Sequence, residues 1–237
     1  MKTFSIIFEN EEILLVNKEP GVSVQGGAGI SHPLDAELSA QTGYKIFLVH
    51  RLDKETSGIL VVAKNAQAAA KWTKLISCGK IKKEYAAVCF GIPVVGGKKC
   101  ASGVLEGTVE AHGRIQPAKT FFKVESTWSQ KIPDAEESVD LSLLRLTLGT
   151  GRMHQIRIQL AKALCPVAGD DKHGDFKKNK LARKIGIKKL HLASVRISIP
   201  LNGKETSFEI PLPDHIENTL KLGADGFSPD AESQFRY

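Results

Sequence analysis

The run Gly58-Ile59-Leu60-Val61-Val62-Ala63 follows a polar group made of His50, Arg51, Asp53 and Lys54, and the apolar Phe47-Leu48-Val49 precedes that group. A short, continuous aliphatic run of this kind reads as a buried strand. The polar group therefore lies where the chain emerges from a core. Side chains there are hydrogen-bonded or functional, because burying them unpaired is costly. In extended backbone Arg51 and Asp53 point to the same side. A cation beside a carboxylate keeps it ionised, as a nucleophilic or basic aspartate requires at neutral pH. The bland alternative is a surface Arg–Asp pair closing a turn before a strand.

The rest of the chain alternates short strands with a few helices. Strands are expected over 4–8 and 13–17. A helix is expected from an N-cap at Ser31 to about 42, stopped by Gly43, and a second from Asn65 to about 78, stopped by Gly79. Residues 84–90 read as a strand and 104–109 as a weak one. Residues 119–125 and 141–148 alternate and should pair, with the acidic stretch 126–140 as an exposed loop between them. The turn Gly149-Thr150-Gly151 leads into a helix over about 153–164, ended by Cys165-Pro166, with Ile156, Leu160 and Leu164 as its apolar stripe. Late strands fall over 190–200 and 206–210, and the polar tail 221–237 has the composition of a disordered segment. Without a regular βαβ rhythm, this pattern predicts an α+β fold with a largely antiparallel mixed sheet and flanking helices and loops. It is expected as one domain over 1–220, with no room for a separate domain ahead of it.

The chain has 237 residues, a net charge of +7 and a pI near 9.2. That balance suits a polyanionic partner, whose phosphates release counterions to Lys and Arg. The basic residues cluster at Lys80, Lys82 and Lys83, and again between Lys177 and Lys189. No apolar run approaches transmembrane length, and the N-terminus lacks the features of a signal peptide, so a cytoplasmic protein without membrane attachment is expected. Cys78, Cys89, Cys100 and Cys165 are too scattered for a metal site and read as reduced, mostly buried thiols. There is no P-loop or dinucleotide fingerprint, so neither metal nor cofactor is expected.

His50-Arg51-Leu52-Asp53 with Thr56-Ser57-Gly58 resembles the catalytic motif of the RluA-type RNA pseudouridine synthases. Three more elements match that family in the same order: Lys83-Glu84-Tyr85, Gly151-Arg152-Met153-His154-Gln155-Ile156-Arg157, and Pro166-Val167-Ala168-Gly169-Asp170 continuing through Lys172 and His173 to Gly174. The resemblance spans roughly residues 8 to 212. It implies the pseudouridine synthase catalytic fold, with the active-site cleft across the sheet. Asp53 is then the catalytic residue, Tyr85 stacks on the target base, and Arg157 pairs with Asp53. The remaining RNA contacts fall to His50, Arg51, Lys83, Arg152, His154 and Lys172, with Arg51 or Arg152 filling the gap left by a flipped uridine. Asp170 is expected to order its loop through backbone N–H groups. The chain departs from the family at Leu190-His191-Leu192-Ala193, where the histidine is displaced by one position, and at Lys18-Glu19-Pro20-Gly21.

The implied activity is isomerisation of uridine to pseudouridine in structured RNA by a monomer. Large-subunit ribosomal RNA is the favoured substrate, transfer RNA the alternative. Asp53 attacks the sugar or the base, or first takes a proton from the ribose; the sequence leaves these open. A catalytically silent RNA-binding or ribosome-assembly factor, and a glycoside hydrolase using Asp53 and Glu55, are the readings from other classes. The hydrolase lacks an apolar pocket to raise one pKa.

Overall fold

A computed structural model describes residues 3–111, 113–133 and 135–223. In chain order its elements are β1 (Ser5–Glu9), β2 (Ile13–Lys18), α1 (Leu34–Thr42), β3 (Phe47–Leu48), β4 (Ser57–Ala63), α2 (Ala66–Ser77), β5 (Lys82–Phe90), β6 (Val94–Val95), β7 (Lys98–Lys99), β8 (Ser102–Ala111), β9 (Arg114–Lys131), β10 (Ser138–Leu148), α3 (Gln155–Lys162), α4 (Phe176–Ala182), β11 (Leu192–Leu201), β12 (Lys204–Glu209) and α5 (Asp214–Leu222). A 3₁₀ turn, Arg183–Ile185, follows α4. The α+β class, with mainly antiparallel strands, is as the sequence predicts. The chain divides into two compact units, one of Met1–Lys83 with Ala193–Pro211, the other of Glu84–Leu192 with the residues from Leu212 on.

In the first unit β4 is buried along its whole length. β2 pairs antiparallel along it, β3 pairs with its last two residues, and β11 runs parallel to its start. That explains the unbroken aliphatic run, since a strand with neighbours on both edges and a packed core has no solvent face to alternate toward. Helix α2 covers the core with Ala68 and Trp72, which pack with Ile13, Leu15, Ile59, Val61 and Ile197. Asn65 caps it by accepting from the Ala68 N–H at 2.8 Å. Gly58 is where β4 meets β11. Its φ is +106°, and a Cβ there would lie 2.1 Å from the carbonyl oxygen of Ser194, so no other residue fits.

The second unit is an antiparallel meander, with β5 against β10, β10 against β9, and β9 against β8. Phe122, Val124 and Trp128 of β9 point inward. The loop expected over 126–140 is a correction. β9 continues to Lys131 and β10 begins at Ser138, because Ser126 and Trp128 keep the inward alternation that the polar composition hides.

Other boundaries also shift. α1 starts at Leu34 behind Pro33, with no side-chain cap, so Ser31 is not its N-cap. α3 is shorter than expected, and Leu164 lies beyond it at φ 57° and 69% exposed, outside the apolar stripe. α4 and α5 were not expected; α5 reaches into the supposed tail, whose residues 224–237 lie outside the described residues. Cys89 and Cys165 are buried, but Cys78 is exposed and Cys100 half-buried, so the thiols are not mostly buried. Among the described residues no helix is long and apolar enough to cross a membrane, and no three His, Cys, Asp or Glu side chains are grouped to hold a metal ion.

Candidate active site

His50, Arg51, Asp53 and Lys83 belong to the first unit; Tyr85, Arg152, His154, Arg157 and Lys172 belong to the second.

In the first unit β3 leaves β4 after two residues, and the Val61 N–H would lose its ladder partner. The His50 side chain takes that bond, its Nε2 accepting at 3.0 Å. The ring is thus neutral, with its proton on Nδ1. Burial, and then the charge of Lys83, hold its pKa well below the usual histidine range. His50 therefore fixes where the chain turns out of the sheet. Beyond it Arg51 is exposed, Leu52 buried and Asp53 half-buried, an extended alternation that puts Arg51 and Asp53 on one side. The Thr56 N–H closes a turn on the Asp53 carbonyl at 3.1 Å. Lys83 is half-buried, and desolvation lowers its pKa to about 8.

Sequence reasoning missed what holds this turn from below. Lys18, at the end of β2, is fully buried. Its Nζ donates to the carbonyls of Glu19, Val22 and Lys54 at 3.0, 2.9 and 3.0 Å. A buried ammonium is tolerated only with such partners, and here it ties the residue after Asp53 to the loop after β2. The Gly21 N–H donates to the same Lys54 carbonyl at 2.9 Å. The available signal was a lysine closing an aliphatic strand just before Pro20-Gly21.

In the second unit Tyr85 is 5% exposed and sits opposite Leu146 of β10. Arg157, on the inner face of α3, is 7% exposed. It makes a two-pronged pair with Asp170, Nε to Oδ2 at 2.8 Å and Nη2 to Oδ1 at 2.7 Å. Asp170 also accepts the backbone N–H groups of Lys172 and His173, both at 2.9 Å, as expected for a loop-ordering aspartate. Burial raises its pKa, but Arg157 and the two N–H groups outweigh that and hold the carboxylate below its usual range. The sequence did not foresee the Arg157–Asp170 pair. Gly169, at φ +74°, passes so close to Lys189 that a Cβ would lie 1.9 Å from its carbonyl oxygen.

Gln155 organises the entrance to α3. It accepts from the Thr150 hydroxyl and the Arg152 N–H, and donates to the Lys119 carbonyl and the Thr120 hydroxyl. The Arg152 N–H is therefore not available to a phosphate, whereas its side chain is exposed. His154 sits just before the helix at φ 53°, so it does not share a helical face with Arg157. Its Nδ1 lies 2.8 Å from Nε2 of His173. A positive φ is uncommon outside glycine, though histidine adopts it more readily than most residues. Lys172 is exposed beside Asp170.

The displaced His191 is a structural residue. It is 1% exposed, its Nδ1 2.8 Å from the Lys189 carbonyl and its Nε2 2.8 Å from the Thr219 hydroxyl of α5. Burial pushes its pKa down to about 4. The unfolded chain binds this proton near pH 6.5, the folded one only near 4. Stability from His191 is thus complete above 6.5 and lost as the pH falls through that window, by about 3 kcal/mol. Urea unfolding at pH 7 and at pH 4.5 should show wild type losing more than His191→Gln. Equal losses would mean the ring is not buried neutral.

A family model described as RNA pseudouridylate synthase matches residues 12–162. The chain belongs to that family. Its curated relatives include the ribosomal large subunit pseudouridine synthase C of Haemophilus influenzae, 31% identical over 91% of this chain and 67% of the relative. The synthase C of Escherichia coli O157:H7 is 31% identical over 91% and 69%, and the synthase D of H. influenzae is 30% identical over the same shares. The family is thus the RluA type, and this pseudouridine synthase is an isomerase. Human RNA pseudouridylate synthase domain containing 4 shares the fold at a TM-score of 0.70, with 24% identity and 92% of each chain covered.

Proposed function

We propose that this synthase isomerises uridine in large-subunit ribosomal RNA, acting as a cytoplasmic monomer with Asp53 as its catalytic residue. The observation that carries the substrate is the set of relatives, 30–31% identical over about nine-tenths of this chain and named for the ribosomal large subunit. In this reading the N-glycosidic bond of a flipped uridine breaks, the uracil rotates, and its carbon 5 joins the ribose. The proton on carbon 5 leaves to solvent and one is taken up at the freed nitrogen, so the reaction needs no oxidant and no energy donor. Asp53 carries the chemistry, Tyr85 stacks on the uracil and Arg157 keeps the aspartate ionised. Arg51, Arg152, His154, Lys83 and Lys172 hold the RNA. His50 serves that surface through the backbone it anchors.

Tritium release from RNA labelled at carbon 5 of uridine tests this directly. Release from unmodified large-subunit ribosomal RNA is expected. Release from transfer RNA alone would replace the substrate. No release despite salt-sensitive binding would leave a silent RNA-binding protein.

A further inference from the structure

We propose that α4 and the 3₁₀ turn after it form an RNA-docking surface, on which Phe176 stacks against an unpaired base while the surrounding lysines hold the flanking phosphates. The proposal rests on the reading of this chain as an RNA-modifying enzyme and names a surface that captures the RNA.

Residues 171–189 hold eight Lys or Arg and two Asp, a surplus of six positive charges in a chain whose net charge is +7. The attraction for a polyanion is therefore concentrated on one segment. All eight cations are exposed. Among the described residues only Arg183 of the eight is in an ion pair, with Asp171 at 2.7 Å. Phe176, the first residue of α4, is 76% exposed. Asn179 and Ala182 form the inner face of the helix, and Asn179 is fixed at both ends, accepting from the Gly169 N–H at 2.9 Å and donating to the Asp170 carbonyl at 2.9 Å. The ring thus stands on an anchored helix rather than a loose loop. Lys180 lies one turn from Phe176 and Lys177 on the same outer side.

A single exposed apolar side chain is ordinary. An aromatic ring set among lysines has a more specific complement, because unpaired nucleotides offer a π-face for stacking and phosphates for the cations in one ligand. An apolar protein surface covering Phe176 would strip water from the neighbouring ammonium groups without pairing them, which is unfavourable.

The test is equilibrium binding of protein-free large-subunit ribosomal RNA by the full chain at several salt concentrations. Phe176→Ala is expected to weaken binding about tenfold, as removal of a stacking platform does. Lys177→Gln with Lys180→Gln should lower the slope of log affinity against log salt by about 1.4 to 1.8. Lys98→Gln with Lys99→Gln removes the same charge from β7 and should leave both quantities near wild type. All these positions are exposed, and unchanged melting curves confirm the fold.

Wild-type affinity in Phe176→Ala, or equal effects of the two double-lysine variants, would overturn the proposal. So would an effect confined to intact ribosomal particles or to phosphatidylglycerol vesicles, which would give the surface to a protein or a membrane. Binding is read independently of turnover. If wild type releases no tritium but Phe176→Ala still loses affinity, the activity reading fails and the docking surface stands; the converse separates the two as cleanly.

Discussion

Asp53→Asn is expected to abolish pseudouridine formation while leaving the protein folded and able to bind RNA. Three of the bonds that fix this turn end on backbone carbonyls. Thr56 donates to the Asp53 carbonyl, and Lys18 and Gly21 donate to the Lys54 carbonyl. Asparagine keeps the shape and these contacts, and removes the negative charge that attack or proton abstraction requires. Loss of a residue that carries the chemistry itself, rather than one supporting it, lowers turnover by at least about 10⁴-fold, or about 5.5 kcal/mol of transition-state stabilisation. Because Asp53 is half-buried rather than buried, the melting temperature should move little. Single-turnover tritium release with saturating enzyme measures the rate, and a filter-binding titration measures affinity. Turnover within tenfold of wild type would remove Asp53 from the chemistry.

The parts of this molecule legible from sequence are those where one local rule dominates. The unbroken aliphatic run marked β4, and Asn65 and Gly43 marked the ends of helices, because capping and glycine stops act over a few residues. The four motifs located the site because a resemblance carries residue types in order. Long-range polar pairings were not legible. Lys18 reads as a surface lysine at a strand end until the fold brings three carbonyls around its ammonium. Gln155 reads as part of a motif, yet it bonds across to β9 through Lys119 and Thr120, more than thirty residues earlier. His191, displaced by one position from the family's motif, proves to be a buried tie to α5. The acidic, proline-containing stretch after 126 concealed the continuation of a hairpin, since charge and composition outweighed the alternation that Ser126, Trp128 and Val139 carry.

Asp170→Ala is expected to cost about 3–5 kcal/mol of stability, the penalty for breaking a buried ion pair by removing one member. Arg157 is 7% exposed and Asp170 2%, so water cannot replace the lost carboxylate. Two backbone N–H groups, of Lys172 and His173, lose their acceptor at the same time. Against a typical total of about 5–15 kcal/mol, this is a large share, and urea unfolding at pH 7 should show it. The pH dependence has a definite sign. The folded-state pKa of Asp170 is lowered, so its contribution is complete above the ordinary value near 4 and lost as the pH falls below it. Asp170→Ala should lack that acid-side loss. The paired replacement Arg157→Leu with Asp170→Leu removes both charges and should recover much of the stability lost in Asp170→Ala, since a buried ion pair is often no more stabilising than apolar side chains of similar volume. Turnover should not return with it. An enzyme restored in stability but not in rate would show that the guanidinium serves the reaction, with Asp170 retained to hold it in place; recovery of both would reduce the pair to a device of folding.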